Sequence, residues 1–252
     1  MSESHKFKMT TEQVKFFLDK IHDLLTIDDE ILFKINNDKT LFYSVVGEKK
    51  NVNAFKSFIF ETTEVFTFDE QLPNEIRFIV TNGSKFESTI KNYLDYPEDV
   101  NCAFFMNDDT YADNFKLKNS KLKLSINGGD LRAMNTNIDI DKINSTLNKD
   151  YIDFKFILDK SSFLKIKKIG SVDTENDILT LDICDNNLTI GEGSWNLKIC
   201  DIQHEDMSIT FPKKYFKSIS FTEEDIYVYV FDTFLLIDNK NTTLLIALEL
   251  MV

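Results

Sequence analysis

Few side chains in this sequence are placed to do covalent or metal chemistry. His5, His22 and His204 are far apart, with no HExxH pair, no GxSxG turn and no glycine-rich phosphate loop. Cys102, Cys184 and Cys200 form an odd, scattered set without CxxC spacing, which argues against a disulfide framework and a zinc site; they read as buried thiols. Asp139, Asp141 and Asp150 fall on positions 1, 3 and 12 of a calcium loop, but position 6 is Asn144 where the sharp turn needs Gly, and position 12 is Asp where Glu is the usual bidentate ligand. A solvated connector is the better reading. His204, Glu205 and Asp206 lie between two strands, where neighbours point to opposite faces. No catalytic residue, metal or cofactor is expected.

What remains is lysine. Residues 160–169 (KSSFLKIKKI) carry Lys160, Lys165, Lys167 and Lys168, and residues 212–219 (PKKYFKSI) carry Lys213, Lys214 and Lys217; neither segment contains an acid. Seven positive charges thus fall in 18 residues of a chain whose net charge is −13. Lysine ammonium groups meet phosphate as point charges without fixed geometry, so such segments suit sequence-independent attraction to a phosphate backbone. Lys165 and Lys168 are three apart and Lys213 and Lys217 four apart; on a helix each pair shares a face away from Phe163, Ile166, Phe216 and Ile219. One such stripe usually does no more than solvate a helix. Two acid-free stripes against an acidic background are harder to explain that way.

These segments need a scaffold. At 252 residues and 42% apolar, with 23 Phe, the chain has material for two domains with real cores, and its 3 Pro and 7 Gly fit short strands joined by Asn- and Asp-rich turns. No run of 18 apolar residues occurs and the opening MSESHKFKMTTEQ lacks a signal peptide's apolar core, so a soluble, cytoplasmic protein with no membrane partner is expected.

Period-2 alternation is clearest in the second half. Phe154, Phe156 and Leu158 mark a half-buried strand; the spacing turns helical over 160–169, with Phe163, Ile166 and Ile169 on one face and Gly170 as the stop. Three alternating runs follow, at Leu179–Ile183, Leu188–Ile190 and Trp195–Ile199. The unit then repeats: Met207, Ile209 and Phe211, a short helix opened by Pro212, and strands through 226–230, 234–237 and 244–248. The first half fits the same template. HKFKM is a strand, and TTEQVKFFLDKIHDLL is a helix with a Thr10/Gln13 capping box and an apolar face of Val14, Phe17, Leu18, Ile21 and Leu25. Strands near 30–36, 39–46 and 52–62 complete that unit. IRFIVT opens the next, whose helix at 84–94 has a Ser84/Glu87 capping box and buries Phe86, Ile90, Tyr93 and Leu94; strands near 101–106, 112–118 and 121–126 follow. In these two helices Lys15, Lys20, Lys85 and Lys91 are mixed with Glu12, Asp19, Asp23 and Glu87. The polar, aperiodic GGDLRAMNTNIDIDKINSTLNKD reads as a connector. The predicted organisation is α+β, with one domain over 1–128, a connector over 129–150 and a second, similar domain over 151–252. Each domain holds two strand-helix-three-strand units, the helices on one side of antiparallel sheet.

This order of elements resembles the DNA sliding clamps, the polymerase processivity factors that include proliferating cell nuclear antigen, and within them the T4-type phage clamp more than the three-domain bacterial one. The similarity covers essentially the whole chain. It is carried by FKFILDKSSFLKIKKIG with the following ILTLDI, NLTIGEG and WNLKICDI, by ITFPKKYFKSI and by the closing TTLLIALEL, none of them an invariant motif. The resemblance implies a non-catalytic homotrimeric ring of the DNA clamp fold, with sheets outside and helices on the inner face around duplex DNA. It implies DNA-facing roles for Lys160, Lys165, Lys167, Lys168, Lys213, Lys214 and Lys217, and for Lys15, Lys20, Lys85 and Lys91 in the first domain. Implied partners are duplex DNA without sequence preference, DNA polymerase, a clamp loader, further copies of the chain and late-transcription factors. Partner tails would enter an apolar pocket of Leu131, Met134 and Ile138 on the connector and Leu250, Met251 and Val252 at the end, although ordinary edge packing explains the same residues equally well. An acidic exterior would repel nucleic acid from outside the ring. The lysine bias, with Arg77 and Arg132 the only arginines, matches the AT-rich genomes of many phages, and so a host cytoplasm. The alternative is a phage structural or assembly protein built from repeated antiparallel domains, whose lysine helices contact other chains.

Overall fold

Amphipathic spacing over the first turns of the chain produces α1 (Thr11–Leu24), which buries Val14, Phe17, Leu18, Ile21 and Leu24. Its capping box closes as predicted: Gln13 N donates to Thr10 Oγ1 (3.2 Å) and Thr10 N to Gln13 Oε1 (2.9 Å). The next helix, α2 (Gly83–Lys91), is capped differently from the sequence expectation. Asn82 accepts from Lys85 N at 2.9 Å, while Ser84 turns to Asp29, which accepts from both its N–H and its hydroxyl at 2.7 Å. A Cβ at Gly83 would stand 2.9 Å from the Asp29 carbonyl oxygen, so the helix start approaches that loop closely enough to need glycine. Leu94, expected inside, is exposed, because α2 stops at Lys91 and a 3-10 turn over Asn92–Asp95 re-aims it. Tyr93 points inward and donates to Leu117 O at 2.8 Å; burial pushes its phenol up to about 12.

The computed structural model describes residues 3–48, 51–130, 152–172, 177–192, 195–217, 219, 225–239 and 241–248. Its contacts define two units, Met1–Glu48 with Lys56–Thr136, and Lys49–Phe55 with Asn137–Val252. The strands of the first unit are β1 (Ser4–Met9), β2 (Ile31–Ile35), β3 (Lys39–Glu48), β4 (Asn51–Glu61, whose residues up to Phe55 count with the second unit), β5 (Thr67–Phe68), β6 (Ile76–Val80), β7 (Val100–Met106), β8 (Ala112–Lys118) and β9 (Lys123–Asn127). The two-residue β5 had no counterpart in the sequence pattern. The repeats exchange their opening strands: β1 joins the second repeat's sheet in the order β5-β1-β7-β8-β9, and β6 joins the first repeat's in the order β6-β2-β3-β4. The ladders of β1 with β5 and β7, of β2 with β3 and β6, and of β8 with β7 and β9 are antiparallel. Phe7, Phe17, Phe33, Phe42, Phe66, Phe78, Phe86, Phe104 and Phe115 interlock between sheets and helices, with no ring more than 6.4 Å from its nearest partners.

The second unit repeats the exchange with a core that mixes Leu, Ile and Val with Phe. Its strands are β10 (Phe154–Leu158), β11 (Ile178–Cys184), β12 (Asn187–Glu192), β13 (Trp195–Asp201), β14 (Met207–Pro212), β15 (Ile226–Val230), β16 (Phe234–Asn239) and β17 (Thr242–Ala247). The orders are β14-β11-β12-β13 and β10-β15-β16-β17. Asp185 and Asn186, at φ 50° and 62°, make the tight β11–β12 turn that Asn and Asp tolerate. The helices are α3 (Lys160–Val172) and the short α4 (Lys213–Lys217). Gly170 does not stop α3; an interior Gly costs only about 1 kcal/mol against Ala. Pro212 closes β14 instead of opening the helix.

Asp159 caps α3, accepting from Ser162 N at 3.0 Å and Ser162 Oγ at 2.7 Å. Those two bonds hold its carboxyl below the usual aspartate range. Asp159→Ala is expected to lower stability by about 1 kcal/mol at neutral pH. Because the folded-state value is depressed, the contribution is complete above the unfolded value of about 4 and fades as pH falls through the folded one, so urea melts of variant and parent should converge in acid.

Candidate nucleic-acid interface

Each unit presents its pair of helices differently. In the first, Glu87 of α2 is buried, and its Oε1 lies 3.1 Å from His22 Nδ1 of α1 and 2.7 Å from Lys91 Nζ. Lys91 therefore spends part of its charge on holding the two helices together. Lys20 is half-buried, its Nζ 5.1 Å and 4.7 Å from the Phe16 and Phe58 ring centroids. Lys15 and Lys85 are exposed, as are the acids Glu12 and Asp19. The surface is mixed in sign.

In the second unit, Phe163 and Ile166 anchor α3 inward, and Phe163 meets Phe216 of α4 at 5.7 Å. Lys160, Lys165 and Lys168 are exposed on α3, and Lys214 is exposed on α4 with its Nζ 4.7 Å from the Tyr215 ring centroid. Lys167 is half-buried and donates to Ile219 O at 2.8 Å, tying α3 to the chain beyond α4. Lys213 departs from the sequence reading. It is only 3% exposed and ion-paired with the buried Glu192 of β12, so it is not a surface contact. The physical reason is length: α4 is too short to impose a helical face, and the in-out alternation of β14 runs on through Phe211 to Lys213. Lys217 ends α4, and its side chain lies outside the described residues.

The first unit holds a second buried lysine that the sequence did not suggest. Lys56 of β4, fully buried, reaches Asp23 at the C-terminal end of α1, 3.5 Å from Oδ2 and 3.4 Å from the carbonyl oxygen, where a cation also complements the helix dipole. Of the cysteines only Cys102 is buried; Cys184 ends β11 in the open and Cys200 is half-buried, correcting the expectation of three buried thiols. His204 packs on Phe154 with ring centroids 5.0 Å apart. Among the described residues no group of three or more His, Cys, Asp or Glu side chains could hold a metal ion, and no helix is long and apolar enough to cross a membrane.

The cavities among the described residues include two beside the helices α2 and α4. One, of about 360 Å³, sits in the first unit between the start of α2 and β9, with Lys85, Thr89, Ser125 and Asn127 on its walls. The other, of about 590 Å³, is in the second unit and is lined by Asn53, Ile178, Pro212, Lys214, Tyr215 and Leu248. The candidate peptide-pocket residues Leu131, Met134, Ile138, Leu250, Met251 and Val252 all fall outside the described residues, as do Asp139, Asp141 and Asp150.

Strand-exchanged repeats, two per unit, with two helices packed on the sheets of each, define the DNA sliding-clamp fold, and the chain has it. No protein-family model and no curated protein sequence matches this chain. Solved structures do. Proliferating cellular nuclear antigen from Entamoeba histolytica matches with a TM-score of 0.64 at 17% identity, over 99% of this chain and 100% of the other. DNA polymerase III subunit beta from Borrelia burgdorferi matches with a TM-score of 0.69 at 15% identity, over 97% and 64%. The Helicobacter pylori beta clamp bound to a DNA ligase peptide matches with 0.66 at 12% identity, over 97% and 66%. The chain thus spans about two thirds of the length of the bacterial clamps.

Proposed function

We propose that this chain is the subunit of a homotrimeric sliding clamp that encircles duplex DNA and tethers a replicative polymerase, without catalytic activity of its own. The observation that carries the reading is the clamp fold over nearly the whole chain combined with the acid-free, exposed lysine face of α3 in a protein of net charge −13. Weak point-charge attraction lets the subunit change register along the duplex, while retention comes from ring closure. Lys160, Lys165, Lys168 and Lys214 form the main DNA-facing set, with Lys217 added on the sequence pattern alone and Lys15 and Lys85 as lesser contacts. A clamp loader, and late-transcription factors in a phage setting, complete the partner set. Partner peptides would seat near the second unit's cavity, whose wall includes Leu248, two residues before Leu250 in sequence; the ligase peptide on the Helicobacter pylori clamp is the precedent.

Replacing Lys165, Lys168 and Lys214 together by Glu should leave folding and a trimeric mass by light scattering intact. Retention on circular DNA and polymerase processivity should both fall at least tenfold. Unchanged processivity would move the DNA face elsewhere, and an extended polymer in place of a trimer would favour the structural-protein alternative.

A further inference from the structure

The face of the five-stranded sheet turned away from the phenylalanine core is basic, contrary to the acidic exterior expected from composition. Cross-strand register builds two rows on it. One runs Lys6, Ala103, Lys116, Ser125 and the other Lys8, Asn101, Lys118, Lys123 across β1, β7, β8 and β9. With strands about 4.8 Å apart and alternate residues about 6.8 Å apart, the five lysines occupy a strip roughly 14 Å by 7 Å. Among the described residues none of the five makes an ion pair. A third row supplies neutral polar groups: Asn114 donates to Asn127 at 2.9 Å and accepts from Ser125 at 3.0 Å. Asp113 on β8 sits at the register shift rather than in a row, and Asp69, just past β5 with its N–H bonded to Lys6 O at 3.0 Å, is the acid that borders the strip on that side. The corresponding face of the β14-β11-β12-β13 sheet carries Asp182 and Asp201, and its Lys198 is held by Asp201 at 2.6 Å. The basic strip belongs to the first unit.

We propose that this strip is a second nucleic-acid contact, separate from the helix lysines, which takes the phosphate backbone of a single strand. A duplex is stiff over about 150 base pairs and would touch a flat sheet along one line, whereas a single strand bends to follow both rows. Binding is backbone-led: Phe105 is the one aromatic ring in the three rows, and Lys116 Nζ already covers it, 3.7 Å from its centroid, so bases find no stacking platform. An acidic peptide fits less well, because peptides pair along sheet edges or anchor apolar side chains in pockets, and the strip runs across the strands with no apolar pocket. The inference needs no ring, since the strip lies within one unit.

Fluorescence anisotropy of a labelled oligothymidylate of about 20 nucleotides, titrated with the full chain from about 50 to 200 mM salt, tests it. Five lysine–phosphate contacts predict a slope of log K against log salt of about −3.5. Lys116→Gln/Lys118→Gln/Lys123→Gln should flatten that slope by about 2 and weaken binding at low salt at least tenfold, while the control Lys198→Gln, on the second unit's sheet, leaves the slope in place; the α3 variant Lys165→Gln/Lys168→Gln is measured beside them. Lys6→Gln/Lys8→Gln on β1 reads the same strip independently should the triple variant misfold, with a loss of about 1.4 in slope. An unchanged slope in the sheet variants, or a loss confined to the α3 variant, overturns the proposal. So does oligonucleotide binding that survives in variants that lose polyglutamate binding, which would assign the strip to an acidic protein segment. Clamp retention on circular DNA follows the α3 lysines, so failure of the ring reading and failure of this one are told apart.

Discussion

Lys213→Met should destabilise the second unit by about 3–5 kcal/mol, far more than substitution of any exposed lysine on α3. The ammonium of Lys213 and the carboxylate of Glu192 are both buried, and removing one leaves the other charged without its counter-ion in a medium that solvates it poorly. Glu192 Oε2 has no hydrogen-bond partner among the described residues, so the pair is incompletely satisfied even in the parent protein. The double variant Lys213→Met/Glu192→Leu should therefore recover most of the loss, because an apolar pair of similar volume incurs no desolvation penalty. Urea denaturation of the two variants checks this. A double variant as unstable as the single one would mean that the pair contributes net stability. For tests of DNA binding, a Lys213 variant that fails does so by unfolding.

Phe33→Ala should cost the first unit about 3–5 kcal/mol. Phe33 is fully buried on β2, with its ring 4.5 Å from Phe42, 5.6 Å from Phe17, 5.9 Å from Phe86 and 6.0 Å from Phe78. It therefore bridges α1 and α2 to the sheet. Phe33→Leu, which keeps most of the volume, should lose considerably less, and equal losses in chemical denaturation would mean that ring geometry outweighs cavity formation. Since both helices lean on this ring, the alanine variant should also loosen the Glu87 link to His22.

The order of elements was legible in sequence because the sheets are half-buried and alternate cleanly, as Phe154, Phe156 and Leu158 do on β10. The exchange of opening strands was not legible, because periodicity fixes which face a strand buries and says nothing of which strand it pairs with. Helical spacing misled at Lys213, where five helical residues could not override the alternation of the preceding strand. The basic sheet face was available: HKFKM and FKLKNSKLKLS place lysines at period 2, on one side of a strand. A period-2 lysine row on a single strand reads as an ordinary solvated face until the register of its neighbours is known. Lys56 and Glu192 carry no sequence signal, since nothing in a single strand's pattern says that a charged position has its partner inside.

The exchanged strands also bear on how the chain is made. β1, at Ser4–Met9, finds its long ladder only with β7 at Val100–Met106, roughly 100 residues later, and its unpaired edge must wait through synthesis of everything between. Such long-range pairing slows folding. β6 can close on β2 as soon as it is made, but a chain that stops before β7 leaves β1 with only its two-residue pairing to β5 and an open edge.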